Sequence, residues 1–439
     1  MVPLVVPLSA PEAADAGRFG PKAANLAALG HAGIPTPGGY CIDAAAYRAQ
    51  LLSAGLEASA RGAFASAEPA QARRCALDMK LGFMEKPIAP ELLEQILGPY
   101  RALTARHNVP VVVRSSALVE DRYGSSFAGQ FESYLGLETE ADYLIAVRAC
   151  WTALWSTRAL RYMATHDIDP ADTAMAVLVQ PLVAARAAGG GLSRTAEGNM
   201  LINATPGLGS AIAQGEVTPD RYVLSRDGVL QEAVAGPGYH AVSCAHRQAA
   251  APRPKRPRPR RCLSDIQVAE LGRILTGVEA LMEGPVEIEW ALDEKGIKLL
   301  QARPLHLGDQ EQTEVDEDWA RQPKLRGQPA GAGWAAGPAC VVNCECELSR
   351  VGPGAVLVTK MAGPALSQVL RGVAGVVAEL GGSTSHLASL ARERGIPMVL
   401  GVTDATSSIP DGSLVAVDGV SGIVRWRPET VPAINMGRW

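Results

Sequence analysis

A chain of 439 residues is longer than one hydrophobic core normally organises, so two or three domains are expected. With 47% hydrophobic residues, 20% charged residues and a net charge of -4, the chain reads as globular, and a general attraction to nucleic acid or to an anionic membrane is excluded. Eight cysteines without Cys-x-x-Cys spacing suit a reducing compartment, so the cytoplasm is the expected location. The apolar start MVPLVVPLSAPEA lacks a basic segment and is interrupted by Pro3 and Pro7, so neither export nor a membrane span is expected of it, nor of any later stretch.

Along the chain, KAANLAALGHAGIPTPGGYCIDAAAYRAQL predicts a helix from about Ala23, a Gly/Pro turn, a short strand and a second helix. VPVVVRSSA and AMAVLVQPLV predict strands, and the stretch between them, LIAVRACWTALWSTRALRYMATH, has helical spacing. The Pro/Arg run AAAPRPKRPRPRR, residues 249–261, blocks helix and sheet alike and is expected to be an extended, solvated loop. VEIEWALDEKGIKLLQARPL predicts a hairpin turning at Asp293 to Gly296. The polar and acidic stretch that follows predicts a linker over 308–325, ahead of a Gly-, Val- and Ala-rich module over 326–439. In that module Cys340, Cys344 and Cys346 lack the spacing of a zinc knuckle and read as small apolar side chains on or beside a strand.

The stretch GGSTSHLASLARERGIPMVLGV, residues 381–402, places His386 between a turn of small residues and a helix that closes at Gly395. A helix N-terminus favours anions, and Ser383, Thr384 and Ser385 add hydroxyl donors. An imidazole with an ordinary pKa of about 6.5 is largely neutral at pH 7, hence nucleophilic. On these residues alone, a phosphoryl-carrying nucleophile and a capping turn with an incidental histidine are equally open.

That stretch resembles the phosphohistidine motif of the superfamily that includes phosphoenolpyruvate synthase, pyruvate phosphate dikinase and rifampin phosphotransferase. His386 falls on the phosphate-carrying histidine, with Leu387 where a small alanine is usual. FGPKAANLAALGHAGIPTPGGY resembles the opening of the same superfamily, and Lys22 matches its phosphate-reaching lysine. VVVRSSALVEDRYGSSFAGQFESYLGL resembles the next signature, with Arg114 as the phosphate-binding arginine and Gly129 and Ser133 on the glycine-rich hairpin. VLVQPLV resembles the hinge between two lobes, where Gln180 and the backbone at Leu182 are implied to bind adenine. In VEIEWALDEKGIKLLQARP the resemblance implies magnesium ligation by Glu289 and Gln301, and neutralisation of the terminal phosphates by Arg303. The physical chemistry agrees: polyphosphate needs fixed cations and oxygen-ligated metal, and residues two apart on a strand share a face.

The resemblance covers nearly the whole chain and implies an α+β multidomain protein: a two-lobed ATP-grasp domain (1–178 and 179–307), the linker 308–325 and a swivelling β/β/α phosphohistidine domain (326–439). Fully extended, about 18 linker residues at about 3.3 Å each would let that domain travel some 50 Å or more. NATPGLGSAIAQGEVTPDRY also matches and is expected to be structural, whereas ARAAGGGLSRTAEGN departs from the pattern. The synthase and dikinase barrel and the drug-binding insert are not recognised, so a short member with only the ATP-binding and phosphohistidine domains is expected. The implied activity is an ATP- and Mg2+-dependent phosphotransferase of dikinase type. Through His386, with Thr384 and Arg303 assisting, ATP would yield AMP and phosphate, and a phosphoryl group would pass to a small-molecule acceptor such as a natural product or antibiotic. The alternative is a phosphohistidine carrier or ATP-binding module serving a separate acceptor protein or pyruvate-handling subunit.

Overall fold

The computed structural model describes residues 3–65, 68–120, 131, 133–237, 260–307 and 317–427. The chain forms two compact units, one of Met1–Ala188 with Arg273–Leu305 and one of Gly189–Gly272 with His306–Trp439. Both mix helix and sheet, as expected.

The first unit is built on a five-stranded antiparallel sheet in the order Val5–Pro7, Tyr40–Ile42, Met175–Pro181, Val111–Ala117, Ser133–Leu137. All of Met175–Pro181 is buried, which is why it reads as a continuous apolar run and not as an alternation. The helix predicted from Ala23 starts earlier, spanning Ala16–His31 with a break at Gly20 (φ 72°), so its second part begins at Pro21. Proline fits a first helical position, whose N-H has no helical partner in any case. A Cβ at Gly20 would lie 2.4 Å from the Ser116 carbonyl oxygen, so the glycine is what lets this helix start press on the neighbouring strand. The stretch predicted helical over 144–166 is a helix Glu140–Thr152, a tight turn Ala153–Trp155 and a helix Thr157–Thr165 restarted by Ser156, whose hydroxyl accepts from Ala159 N. Its aromatic residues close a core: Trp155 Nε1 donates to the Tyr47 hydroxyl at 2.9 Å, and Tyr47 stacks on Phe83 with centroids 5.0 Å apart. The hairpin Val286–Asp293 and Gly296–Pro304 turns where predicted and belongs to this unit, fastened by Leu299 N donating to Pro35 O and by Asn25 Nδ2 donating to Ala302 O.

The second unit begins with antiparallel strands Met200–Pro206, Asp220–Leu224 and Leu230–Val234. Its later part is an eight-stranded arrangement in the order Lys324–Arg326, Ile423–Arg427, Leu414–Asp418, Trp334–Val342, Val356–Met361, Gly375–Leu380, Met398–Leu400, Gln328–Gly331. The run from Trp334–Val342 to Met398–Leu400 is parallel and the flanking pairs are antiparallel. Its valine-rich core includes Val356, Val377, Val399 and Val417. Buried Asp220 ties distant segments together, accepting from Gly236 N and Cys262 N, both at 2.7 Å, and from Cys262 Sγ and the Tyr222 hydroxyl. Asp220→Ala strands several buried donors at once, so the expected loss of stability is about 3 kcal/mol, read by denaturant unfolding. A loss below a third of that would show that the carboxylate is not an anchor.

Two boundaries need correction. Residues 308–316 of the expected linker lie outside the described residues, but from 317 the chain is folded: Glu317–Ala320 is helical, and Trp319 is buried against Trp334 and under the Arg427 guanidinium at 4.4 Å. Lys324–Arg326 then pairs with Ile423–Arg427, so the extended segment cannot run to 325. Nor do the compact units follow the expected lobe boundaries at 178 and 307, because the contacts of the hairpin place it with the first unit. Of the Pro/Arg run, 249–259 lies outside the described residues, while Arg261 is exposed and pairs with Asp265 at 3.0 Å. Cys340 is buried on its strand, and Cys344 and Cys346 bracket the turn that follows it. No described helix is long and apolar enough to cross a membrane.

Candidate active site

In the first unit, three of the expected residues, Arg114, Glu289 and Gln301, converge on one arginine-centred cluster. Arg114 lies on the central strand Val111–Ala117, opposite Ser133 in register. Its guanidinium reaches the hairpin in a fork: Nη1 donates to Leu300 O at 2.8 Å, and Nη2 to Glu289 Oε2 at 2.9 Å and Gln301 Oε1 at 2.6 Å. Glu289 and Gln301 are direct cross-strand partners, which explains their twelve-residue separation in sequence. Two residue pairs along, on the same face, Glu287 faces Arg303, and this buried pair meets at 3.0 Å. A buried guanidinium held this way is positioned in advance for a second anion, and removing either partner would leave a costly lone charge.

Glu289 and Gln301 present a carboxylate and an amide oxygen side by side, hard donors of the type magnesium takes together with phosphate oxygens. These donor types suit that ion, and in this structure both oxygens accept from Arg114 Nη2.

Lys22 stands in the first turn after Pro21. Its ammonium donates to Glu120 Oε1 at 2.8 Å and to Ser115 O at 3.1 Å, and lies 5.9 Å from the centre of the Phe131 ring. Gln180 is buried in its strand and donates to Gly38 O at 3.2 Å. The Leu182 N-H is already donated to Pro110 O, so what that backbone can present to a base is its carbonyl. Beyond it Val183, Ala188 and Ala291 form an apolar patch, with Leu300 packed against it. Cys41, on a neighbouring strand, is no nucleophile at neutral pH, since burial pushes its thiol up to about 12. Gly129 lies outside the described residues.

His386 is in the second unit, at the first position of the helix His386–Glu393, as predicted. Ser385 caps this helix, its hydroxyl accepting from Ala388 N at 3.3 Å, and Gly395 (φ 63°) follows the helix end. The loop before the histidine is held from both sides. Ser383 Oγ donates to Pro329 O at 2.6 Å, and Arg392 Nη1 donates to Ser383 O at 2.6 Å and to Ala330 O at 3.1 Å. Thr384 Oγ1 donates to Asn203 Oδ1 at 3.3 Å, and Asn203 Nδ2 donates to Asp220 O at 3.3 Å. A Cβ at Gly190 would lie 2.5 Å from Thr384 Cβ, and one at Gly382 would lie 2.6 Å from Pro219 Cγ. The NATP and TPDRY segments, expected to be structural, are therefore the seat on which the histidine loop rests.

Sequence reasoning missed Glu120, Asn203, Gly190 and Arg392. The first three touch the site across large sequence separations, and nothing local marks them. Arg392 carried a signal: an arginine amid the apolar residues of a short helix needs buried carbonyl partners.

Residues 16–323 match the family described as pyruvate phosphate dikinase, AMP/ATP-binding domain, and residues 351–422 match the mobile domain of PEP-utilising enzymes. The chain is 33% identical to the phosphoenolpyruvate synthase of Aeropyrum pernix, over 92% of this chain and 56% of that protein. It is 30% identical to that of Pyrococcus furiosus, over 93% of this chain and 57% of the relative, and 29% identical to that of Escherichia coli, over 93% and 55%. The chain thus spans a little over half the length of these relatives.

Proposed function

The chain belongs to the pyruvate phosphate dikinase and phosphoenolpyruvate synthase family, and from that premise we propose that it is an ATP-dependent phosphotransferase of dikinase type working through phosphorylated His386. In functional terms the stretch before residue 308 is a two-lobed ATP-grasp domain, and the module that follows a linker beginning at 308 is a swivelling phosphohistidine domain. The observation that supports this best is His386 at a capped helix start, in a loop anchored through Ser383, Thr384 and Arg392.

Adenine lies against the apolar patch beside Gln180 and Leu182, with its phosphates toward Lys22, Arg114, Arg303 and Ser133, and Gly129 is a further residue assigned to the nucleotide. Glu289 and Gln301 would hold magnesium, which would supply further neutralisation of the phosphate charge that the arginines share. Lys22 and the Arg114 fork are fixed before substrate arrives, by Glu120 and by the hairpin, so little reorganisation accompanies binding. An imidazole nitrogen of His386 attacks the β-phosphorus of ATP, the bond from that phosphorus to the α–β bridging oxygen breaks and AMP departs, and water then cleaves the β–γ bridge to release inorganic phosphate, which leaves one phosphoryl group on the ring. Positive helix-end potential and the hydroxyl of Thr384 stabilise the phosphorylated ring.

The relatives are named for making phosphoenolpyruvate. The acceptor that fits those names is a small enolisable 2-oxo acid of the pyruvate class, whose enol oxygen takes the phosphoryl group. A natural-product or antibiotic acceptor finds no support in them. The test is to incubate the protein with ATP and magnesium without acceptor. An acid-labile phosphoryl adduct, with AMP and phosphate in equal amounts, is expected, and adding pyruvate should discharge the adduct as phosphoenolpyruvate. ADP as the product would refute the dikinase reading, and an adduct that pyruvate does not discharge would refute the acceptor.

A further inference from the structure

Of the cysteines among the described residues, Cys41, Cys75, Cys150 and Cys340 are buried, and Cys262 Sγ is committed to Asp220 Oδ2 at 2.8 Å. Cys344 and Cys346 are different. Cys346 is exposed, Cys344 is half-buried, and their sulfur atoms stand 2.7 Å apart, the Cys346 thiol donating to Cys344 Sγ. The turn that carries them fixes this approach. Cys344 is extended, with φ -144° and ψ 144°, and starts the short helical turn Glu345–Arg350, and its sulfur also accepts from Cys346 N at 3.4 Å. Both ends of the turn are tied to one carboxylate: Asp411 Oδ1 accepts from Val341 N and Oδ2 from Arg350 Nη2, each at 2.7 Å. Arg350 Nη1 returns to Val341 O at 3.1 Å and to Glu347 Oε2 at 3.4 Å. With entry and exit held, the two sulfurs meet without rearrangement of the chain around them, which is the condition for an intramolecular step to outrun its bimolecular rivals.

The geometry points to Cys344 and Cys346 as a thiol-disulfide exchange site whose substrate is a small, water-soluble disulfide. The thiolate of exposed Cys346 attacks one sulfur of that disulfide, whose S-S bond breaks and releases one small thiolate, so that Cys346 carries a mixed disulfide. Cys344 then gives its proton to solvent and attacks the Cys346 sulfur. The Cys344–Cys346 bond forms, the mixed disulfide breaks and the second small thiolate leaves. The protein dithiol is oxidised by two electrons and the small disulfide is reduced by the same two, each released thiolate taking up a proton. Excess small thiol reverses both steps. Exposure sets their order, since the more exposed thiol meets the disulfide first. This activity is separate from the proposed phosphoryl transfer: the dithiol turn follows the strand Trp334–Val342, His386 follows Gly375–Leu380, and exchange is read without ATP.

The experiment equilibrates the reduced full chain with glutathione disulfide and glutathione at a series of ratios, quenches with iodoacetamide and reads intact and fragment masses. The expected end point is a chain two hydrogens lighter with no glutathione attached, the two cysteines that escape alkylation being Cys344 and Cys346. Excess glutathione should restore both thiols. Cys344→Ser should stop at the mixed disulfide and keep one glutathione on Cys346. Cys346→Ser should slow the loss of the first thiol at least about tenfold, because the better exposed nucleophile is gone. The reading on the parent chain needs neither variant, so the test stands if one of them does not fold. A parent chain that keeps both thiols at the most oxidising ratio would overturn the proposal. So would glutathione that stays on Cys346 without ring closure, or a bond made instead to Cys340 or to Cys244, which lies outside the described residues.

Discussion

Replacing His386 with alanine is expected to abolish the phosphoryl adduct and the appearance of AMP, while ATP affinity stays within about twofold of the parent. The fold should tolerate the change. The helix is started by the Ser385 cap on Ala388 N and not by the imidazole, and alanine is a better helix former than histidine. Residues Lys22, Arg114, Glu289, Gln301 and Arg303 all lie in the other compact unit, so the proposed nucleotide site keeps its composition. Intact mass under mild base, where phosphoramidates survive, with nucleotide chromatography on the same sample, is the direct measurement. Should the alanine variant still carry an acid-labile phosphoryl group, the nucleophile is another residue and the phosphohistidine reading fails.

The second large effect is expected at Arg114. Arg114→Ala should lower the rate of ATP-dependent adduct formation by about a thousandfold, in keeping with removing a preorganised donor from developing phosphate charge. The fork explains why lysine should not restore it. One guanidinium meets Leu300 O, Glu289 and Gln301 simultaneously, whereas an ammonium restores charge without that planar reach. Arg114→Lys is therefore expected to recover only about a tenth to a hundredth of the parent rate, with weaker magnesium dependence because Glu289 and Gln301 are no longer drawn together. Single-turnover kinetics at varied magnesium separates this from a loss of fold. Full activity in the lysine variant would show that charge alone, and not the fork, is what the site needs.

What the sequence could show follows from the range of the forces involved. Strands Val111–Ala117 and Met175–Pro181, the hairpin turning at Asp293 to Gly296 and the helix at His386 are set by local pattern, turn chemistry and capping, and each lies where the residues place it. The convergence of Glu289 and Gln301 was legible as well, because hairpin register ties sequence distance to spatial distance. The start of the Lys22 helix was misplaced because Gly20 and Pro21 read as breakers, yet the chain resumes its helix on both sides of a single left-handed residue. Glu120 under Lys22, Asn203 under Thr384 and the notch at Gly190 depend on how segments pack, and nothing in a linear reading encodes them. Trp319 was hidden for a related reason: acidic neighbours mark a linker, while the ring itself is buried by residues from much later in the chain.

Asp220 has a use outside catalysis. Because its two carboxylate oxygens hold Gly236 N and Cys262 N, the chain that leaves at one nitrogen returns at the other, as though the intervening segment were stapled at its base. The stretch between two clasped nitrogens is a natural graft site, since halving or doubling its length alters the closure entropy by only about 0.6 kcal/mol. A fluorophore-bearing tag or a small folded reporter can be spliced between the clasped ends with the staple left in place. That would give the seat of the His386 loop an optical address without placing a label on any residue assigned to ATP or to His386.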